Sequence, residues 1–408
     1  MTALFWIVIA IVLAQFAWDV ILTALNVKAS KRPVPELLSG LYDEDKYRKQ
    51  QEYSSVRRRL GVISTSAGTL FILAMFCFGG FSWMDSLART FSGSPVVIAL
   101  IFFLLYHIIT TLIDLPFGIW STFVIEQRFG FNRTTPKMFA LDQLKGFLLS
   151  VVLMGLLLGL CVFIYLKMPD WFWLLAWGVM SVITLFLQYF YSQLIVPLFN
   201  RQTPLEPGEL RTAIEGFARK ADFRIKDIYV MDSSKRSTHA NAYFTGFGHN
   251  KRVVLYDTLL KQIDTQEIVG VLAHEIGHNK RHHTLVSLAM SLITSLVMFY
   301  IFGLVIDSQA LAEAAGCSQP SFHVNLVVFS MLYAPINILL DIVMNVISRR
   351  HERQADAFAK EHGYGSAVAS ALKKMSAASL SNLTPHPVVV FTEYSHPTLY
   401  ERVRDLTS

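Results

Sequence analysis

Apolar residues in this chain are gathered into long blocks rather than alternated with polar ones. Taking roughly 20 apolar residues as one bilayer crossing, the blocks near 3 to 25, 62 to 83, 95 to 119, 146 to 166, 171 to 194, 285 to 306 and 324 to 347 predict seven membrane-spanning helices. The tightest boundary is Lys167-Met168-Pro169-Asp170, where proline and aspartate together predict a turn between two spans. Three polar stretches remain, 26 to 61, 195 to 284 and 348 to 408. Within the second, Asp227–Met231 and Arg252–Tyr256 predict strands, Asn241 to Phe247 predicts another closed by a turn over Gly246 to Asn250, and Thr265 to Ala273 predicts a helix. The expected division is 1–194 (spans one to five, with cytoplasmic loops 26–61 and 120–145), 195–284, 285–347 (spans six and seven) and 348–408. The fold class is an α-helical multi-pass membrane protein with a small α+β domain on one side.

Composition agrees with this class, since 53% of residues are hydrophobic, only 16% are charged and 30 are Phe. Lysine and arginine sort the loops. Residues 26 to 61 hold nine of them, among them Lys28, Arg48 and Arg59, residues 84 to 94 hold only Arg89, and 307 to 323 hold none. Positive loops stay in the cytoplasm, so the amino terminus is expected outside and the polar stretches inside. No Lys or Arg precedes the first apolar block, which argues against a cleavable secretory signal. The net charge of +6 then belongs to loops beside anionic lipid. No nucleic-acid partner is expected, because no basic stretch interleaved with aromatics accompanies that charge. Cys77, Cys161 and Cys317 are too scattered for a disulfide framework and read as small hydrophobes.

The candidate chemistry lies at His274-Glu275-Ile276-Gly277-His278, an HExxH sequence a few residues before the sixth block. On a helix the two histidines fall one turn apart on one face, so both imidazoles can bind a single Zn²⁺ while Glu275 reaches its water. So short a pattern also arises by chance on a charged helix face. A third ligand must come from the same membrane face. Glu352 qualifies, because it and His278 both lie roughly 8 to 11 Å of helix from the ends of their spans. If the last span continues as helix, Asp356 follows one turn later, placed to accept a hydrogen bond from a ligand histidine. Spacing alone equally allows a solvated charged face in which Glu352 and Asp356 pair with Arg349, Arg350 and Arg353. Asn337, Asp341 and Asn345 form an i, i+4, i+8 stripe in the last span, and His107, Asp114 and Gln188 lie in others. Lipid cannot satisfy such groups, so they face either a water-filled interior or one another in a solid bundle. His282 and His283 read as surface or interface residues, and His239, His249, His323, His362 and His386 as loop residues.

Together the HExxH residues, Ser348 to Ala357 (SRRHERQADA), Lys235 to Phe244 (KRSTHANAYF), Ser395-His396-Pro397 and Val124 to Asn132 (VIEQRFGFN) closely resemble the type 1 CAAX prenyl proteases, integral-membrane zinc endopeptidases. The resemblance spans nearly the whole chain. It implies one zinc ion held by His274, His278 and Glu352, Glu275 as the base, Asp356 orienting a ligand, His396 facing the oxyanion, and Arg402 supporting the site. It implies that Asn241, Ala242 and Tyr243 begin the edge strand against which a substrate peptide pairs, and that seven helices enclose a large chamber with the zinc site in its wall. His351 departs from the family, which often carries an aromatic residue there.

The function expected is therefore hydrolysis of peptide bonds near the carboxyl end of prenylated, CAAX-type peptides by a monomer in a lipid bilayer. A broad-specificity quality-control protease is the alternative, although such relatives usually have fewer spans. A transporter would explain only the polar stripe. Short external loops and no carboxyl-terminal retrieval signal favour a bacterial inner membrane; in a eukaryote the resemblance implies the endoplasmic reticulum.

Overall fold

The computed structural model describes residues 1–245 and 251–408. Among these are seven helices long and apolar enough to cross a membrane: Ala3–Ala29, Glu44–Cys77, Pro95–Phe129, Pro136–Lys167, Pro169–Leu194, His283–Val305 and Phe322–Glu361. The expected turn separates the fourth and fifth spans, with a single helical turn over Pro169–Trp171.

Several helices extend beyond their apolar blocks. The second starts at Glu44 because the Asp43 carboxylate accepts from Lys46 N at 2.7 Å, so half of the basic stretch is helical. It ends at Cys77, not near residue 83. Gly79 turns the chain at φ 70°, and Phe78 to Trp83 leave the span for a short helix, Gly80–Phe91. The third span passes through a π-helical segment, Ser121–Glu126, before ending at Phe129. The seventh helix has 40 residues, about 60 Å at 1.5 Å per residue, twice the hydrocarbon thickness of a bilayer. Its last turns carry Glu352 and Asp356 out beyond the apolar block.

The spans do not pack as a solid bundle. Asp114, Gln188, Asn337 and Asp341 have exposed side chains within the spans. Because lipid offers such groups no partner, the exposed polar faces line open space between the helices. One cavity there, about 490 Å³, is walled by Leu157, Phe302 and Phe329 and reaches Asn337. Asn345, the last of the stripe, donates to Thr392 O at 2.8 Å.

The described residues form one sheet of four strands, β1 Gln202–Pro204, β2 Asp227–Met231, β3 Ala242–Thr245 and β4 Arg252–Tyr256, in the order β1-β2-β4-β3. β2 and β4 are parallel, and β3 runs antiparallel to β4. The predicted β2 and β4 have the bounds observed. β3 begins at Ala242, one residue later than predicted, and its expected end at Phe247 and the turn expected over Gly246 to Asn250 lie outside the described residues. Leu38, Ile214, Leu255, Leu272, Ile276, Ala359 and Val403 share one hydrophobic core, so the three polar stretches meet on one side of the spans. At the other side a buried Asp85–His323 pair, with His323 Nε2 2.6 Å from Asp85 Oδ1, is joined by the half-buried Arg89, which donates to Asp85 and to Ser321. His323 is therefore not a loop residue, as expected, but the buried start of the seventh helix.

Candidate active site

A helix over Thr265–Lys280 carries the HExxH residues and begins with a capping box, in which Asp264 and Glu267 each accept the other's backbone N–H at 2.9 Å. The buried Glu267 carboxylate also holds Lys374 Nζ at 2.6 Å and Ser370 Oγ at 2.5 Å, which ties this helix to the one over Gly365–Ala378. Further along, Gly277 makes the decisive approach. A Cβ there would lie 3.0 Å from Phe358 Cβ and 3.1 Å from Ala355 Cα. With only a hydrogen at this position, the motif helix can lie directly on the end of the seventh span.

That contact brings the sequence candidates together. His278 Nε2 lies 3.1 Å from His274 Nε2 and 3.2 Å from Glu352 Oε1, and His274 Nε2 lies 3.5 Å from Glu352 Oε2. The three ligand atoms all fall within 4.8 Å of one another. Glu352 Oε2 is buried and makes no well-aligned hydrogen bond, its neighbours being His274 Nε2 and the Arg402 guanidinium at ion-pair distance, and two histidines with one carboxylate converging at these distances are a metal-binding donor set. The residues present therefore fit a bound metal. The other side of His274 is closed by Asp356, whose Oδ1 sits 2.8 Å from Nδ1. Arg402 grips Asp356 with Nη2 at 2.7 Å and Nε at 2.8 Å, and its Nη1 lies 3.3 Å from Glu352 Oε2. The solvated charged face is thus excluded for Glu352 and Asp356, both buried, 5% and 3% exposed.

Electrostatics follow from this packing. Burial disfavours the charged form of His274, but Asp356 and Glu352 outweigh it and raise the imidazole to about 9. Burial likewise opposes the charge on Arg402, and the carboxylates of Asp356 and Glu352 more than restore it, keeping the guanidinium protonated.

His396 reaches the cluster from a separate loop, with Nε2 3.3 Å from Glu352 Oε1. Its ring is 60% exposed, yet the protein around it displaces enough water to push the imidazole below the ordinary histidine value, against the pull of Glu352. Arg349, on the seventh helix, donates to Val390 O at 2.8 Å and Phe391 O at 3.1 Å and also to Tyr394 O, which anchors the loop. A second capping box, Thr398 with Glu401, starts the helix that presents Arg402. Glu275 lies half-buried between the two histidines on the motif helix.

Ala242 and Tyr243 lie in β3, which pairs only with β4 and so forms a sheet edge among the described residues. Asn241 directly precedes the strand, its carbonyl accepting from Tyr256 N at 3.1 Å. The Tyr243 hydroxyl is occupied by Gln202 Nε2 at 3.2 Å and Ser192 Oγ at 3.3 Å.

One sequence expectation fails inside the site. His282 is exposed, but His283 is buried, its Nδ1 3.0 Å from His278 Nδ1 and its Nε2 2.8 Å from Gln354 Oε1. His282 explains the difference, because its left-handed φ of 58° breaks the helix between motif and span and swings the next side chain inward. Nothing in the spacing of HExxH announces that turn. Arg349 was equally hidden, read only as one charge on a basic face.

Residues 204–408 match the model of peptidase family M48, and residues 23–201 match the one described as CAAX prenyl protease N-terminal, five membrane helices. The chain belongs to the CAAX prenyl proteases of family M48. It is 34% identical to the CAAX prenyl protease 1 homolog of Arabidopsis thaliana, over 97% of this chain and 96% of that protein. Its identity to the Homo sapiens homolog is 32%, over 91% and 88% respectively. The crystal structure of S. mikatae Ste24p superposes with a TM-score of 0.95 at 31% identity, covering all of both chains. As a member of this family the protein is a multi-pass membrane metalloendopeptidase.

Proposed function

We propose that the protein is a zinc endopeptidase that cuts CAAX-type, prenylated peptides near their carboxyl end, with His274, His278 and Glu352 as the ligands of one zinc ion. The observation that carries this reading is the His-His-Glu cluster, whose ligand atoms converge on one point, in a chain whose relatives are named CAAX prenyl proteases. Two histidines and one acid with an open fourth position are a zinc hydrolase donor set.

Bound zinc would supply Lewis acidity at the scissile carbonyl and lower the pKa of the water it holds. The remaining steps belong to the chain. Glu275 takes the proton of the attacking water and delivers it to the leaving amide nitrogen. His396, its pKa depressed, is neutral at pH 7 and donates its ring N–H to the developing oxyanion. Asp356 accepts from His274 Nδ1–H and fixes which nitrogen faces the ion, while Arg402 holds Asp356 in place. The edge of β3 from Ala242 to Tyr243, led in by Asn241, offers backbone groups for an extended substrate.

The loop charges support an outside amino terminus and a cytoplasmic site. The chain acts as a monomer in the endoplasmic reticulum of a eukaryotic host or the inner membrane of a bacterial one. The deciding experiment compares cleavage of a prenylated peptide and its unprenylated twin by the purified zinc-loaded protein, with Glu275→Gln as the blank. Preference for the lipidated peptide supports the reading, equal cutting replaces it with broad quality control, no cutting of either reopens the non-enzymatic reading, and full activity in Glu275→Gln refutes the assignment of Glu275.

A further inference from the structure

His283 lies outside the HExxH motif, at the first residue of the sixth span, yet it is 4% exposed and in contact with the site. Its two ring nitrogens have different neighbours. Nδ1 faces His278 Nδ1 at 3.0 Å, and Nε2 faces Gln354 Oε1 at 2.8 Å. Of four conceivable proton placements on this chain of groups, only one is consistent with His278 as a metal ligand, a condition that rests on the function proposed above. The Nε2 of His278 points at His274 and Glu352, so a metal takes that lone pair and the neutral ring keeps its proton on Nδ1. That proton must be donated to His283 Nδ1. His283 then carries its own proton on Nε2 and needs an acceptor there, which the Gln354 carbonyl supplies. Were the Gln354 amide reversed, its NH₂ would force a proton onto His283 Nδ1 and set two donors against each other.

We propose that His283 and Gln354 form a relay of positioning residues that fixes the tautomer and ring orientation of the ligand His278. It is the counterpart of Asp356 and Arg402 behind His274, but built from neutral groups. His351 completes it, stacking flat on His283 with ring centroids 4.0 Å apart and an interplanar angle of 9°. The consequence is mechanical. His283 opens the sixth span, and Gln354 and His351 lie on the extension of the seventh, so the orientation of one metal ligand depends on how these two helices pack.

The test is zinc affinity of the full-length detergent-solubilised protein, measured by competition with a chelator, together with the visible spectrum of the Co²⁺-loaded form and the Tm of metal-free protein. Loss of an outer hydrogen-bond partner typically weakens metal affinity about 10- to 100-fold. His283→Leu should show a loss of that order and an altered Co²⁺ spectrum, whereas His283→Asn, which keeps an acceptor near the Nδ1 position, should stay close to wild type. Gln354→Leu should weaken binding several-fold and remains readable if His283→Leu fails to fold. Wild-type affinity in His283→Leu, or equal losses in His283→Asn and His283→Leu, overturns the relay, because packing alone does not distinguish an acceptor from a methyl group. His278→Ala separates the two levels of the argument. If it binds zinc as wild type does, the ligand assignment itself is wrong; if it loses zinc while His283→Leu keeps it, only the relay fails.

Discussion

Residue by residue, the site depends on small tolerances. Gly277 is the clearest case, since its missing side chain sets how near the motif helix lies to Ala355 and Phe358. Part of what a new Cβ meets is backbone, Ala355 Cα and O at 3.1 and 3.2 Å, which cannot rotate away. Gly277→Ala should therefore destabilise by about 1–3 kcal/mol as an overpacked contact, lowering Tm, and should reduce kcat/KM by more than tenfold as the ligands separate. A mutant with wild-type Tm and activity refutes the close-approach argument. His274 makes a prediction with a definite sign. Its imidazole, raised to about 9 in the metal-free site, is protonated at neutral pH and must lose that proton to bind a cation. Apparent zinc affinity should thus rise as pH increases, roughly tenfold per unit up to about pH 9, and level off above it. Competition titrations from pH 6 to 10 check this, and a flat profile contradicts it.

At the level of elements, the loop that carries His396 is held by the helix that carries Glu352. Arg349 caps the carbonyls of Val390, Phe391 and Tyr394, and Asn345 takes Thr392 O, so Pro387–Glu393 and the following His396 are docked from the seventh span. Arg349→Met should lower kcat about tenfold with little change in zinc affinity, and His396→Ala should cost about 10²–10³ as an oxyanion donor. Because the first acts through the second, the double mutant should be no slower than His396→Ala alone, and additive losses rule this out. The legibility of the sequence divides along the same line. Local patterns carry the strands at Asp227–Met231 and Arg252–Tyr256, the HExxH helix and the turn at Lys167 to Asp170, because each is written in a few adjacent residues. β1 was missed since three residues ending in proline carry no periodicity. The extensions of the second and fourth spans were missed because polar residues continue a helix without hydropathy marking it. His283 was missed because a single left-handed residue, His282, decides where it points, and non-glycine residues adopt that conformation only when their surroundings impose it.

For the whole molecule the question is whether the seven helices enclose water. The exposed faces of the seventh span answer in opposite ways within one turn. Asn337 and Asp341 are exposed, and so is Leu339 between them, 65% open to its surroundings. Residues two apart on a helix point to opposite sides, so one face must meet lipid and the other must not. An apolar Leu339 is stable against acyl chains, whereas an aspartate at that depth costs several kcal/mol unless water or a partner reaches it. The polar side therefore faces a hydrated interior, on the same helix that carries Glu352 beyond the apolar block. In a background with Cys77, Cys161 and Cys317 replaced, Asn337→Cys and Asp341→Cys should react with a small charged maleimide in intact proteoliposomes, and Leu339→Cys should not. A bundle closed by hydrogen bonds between helices would leave all three unlabelled. Labelling of Leu339→Cys alone would mean that the helix is turned the other way, with its carboxylate against lipid and the metal site cut off from the interior.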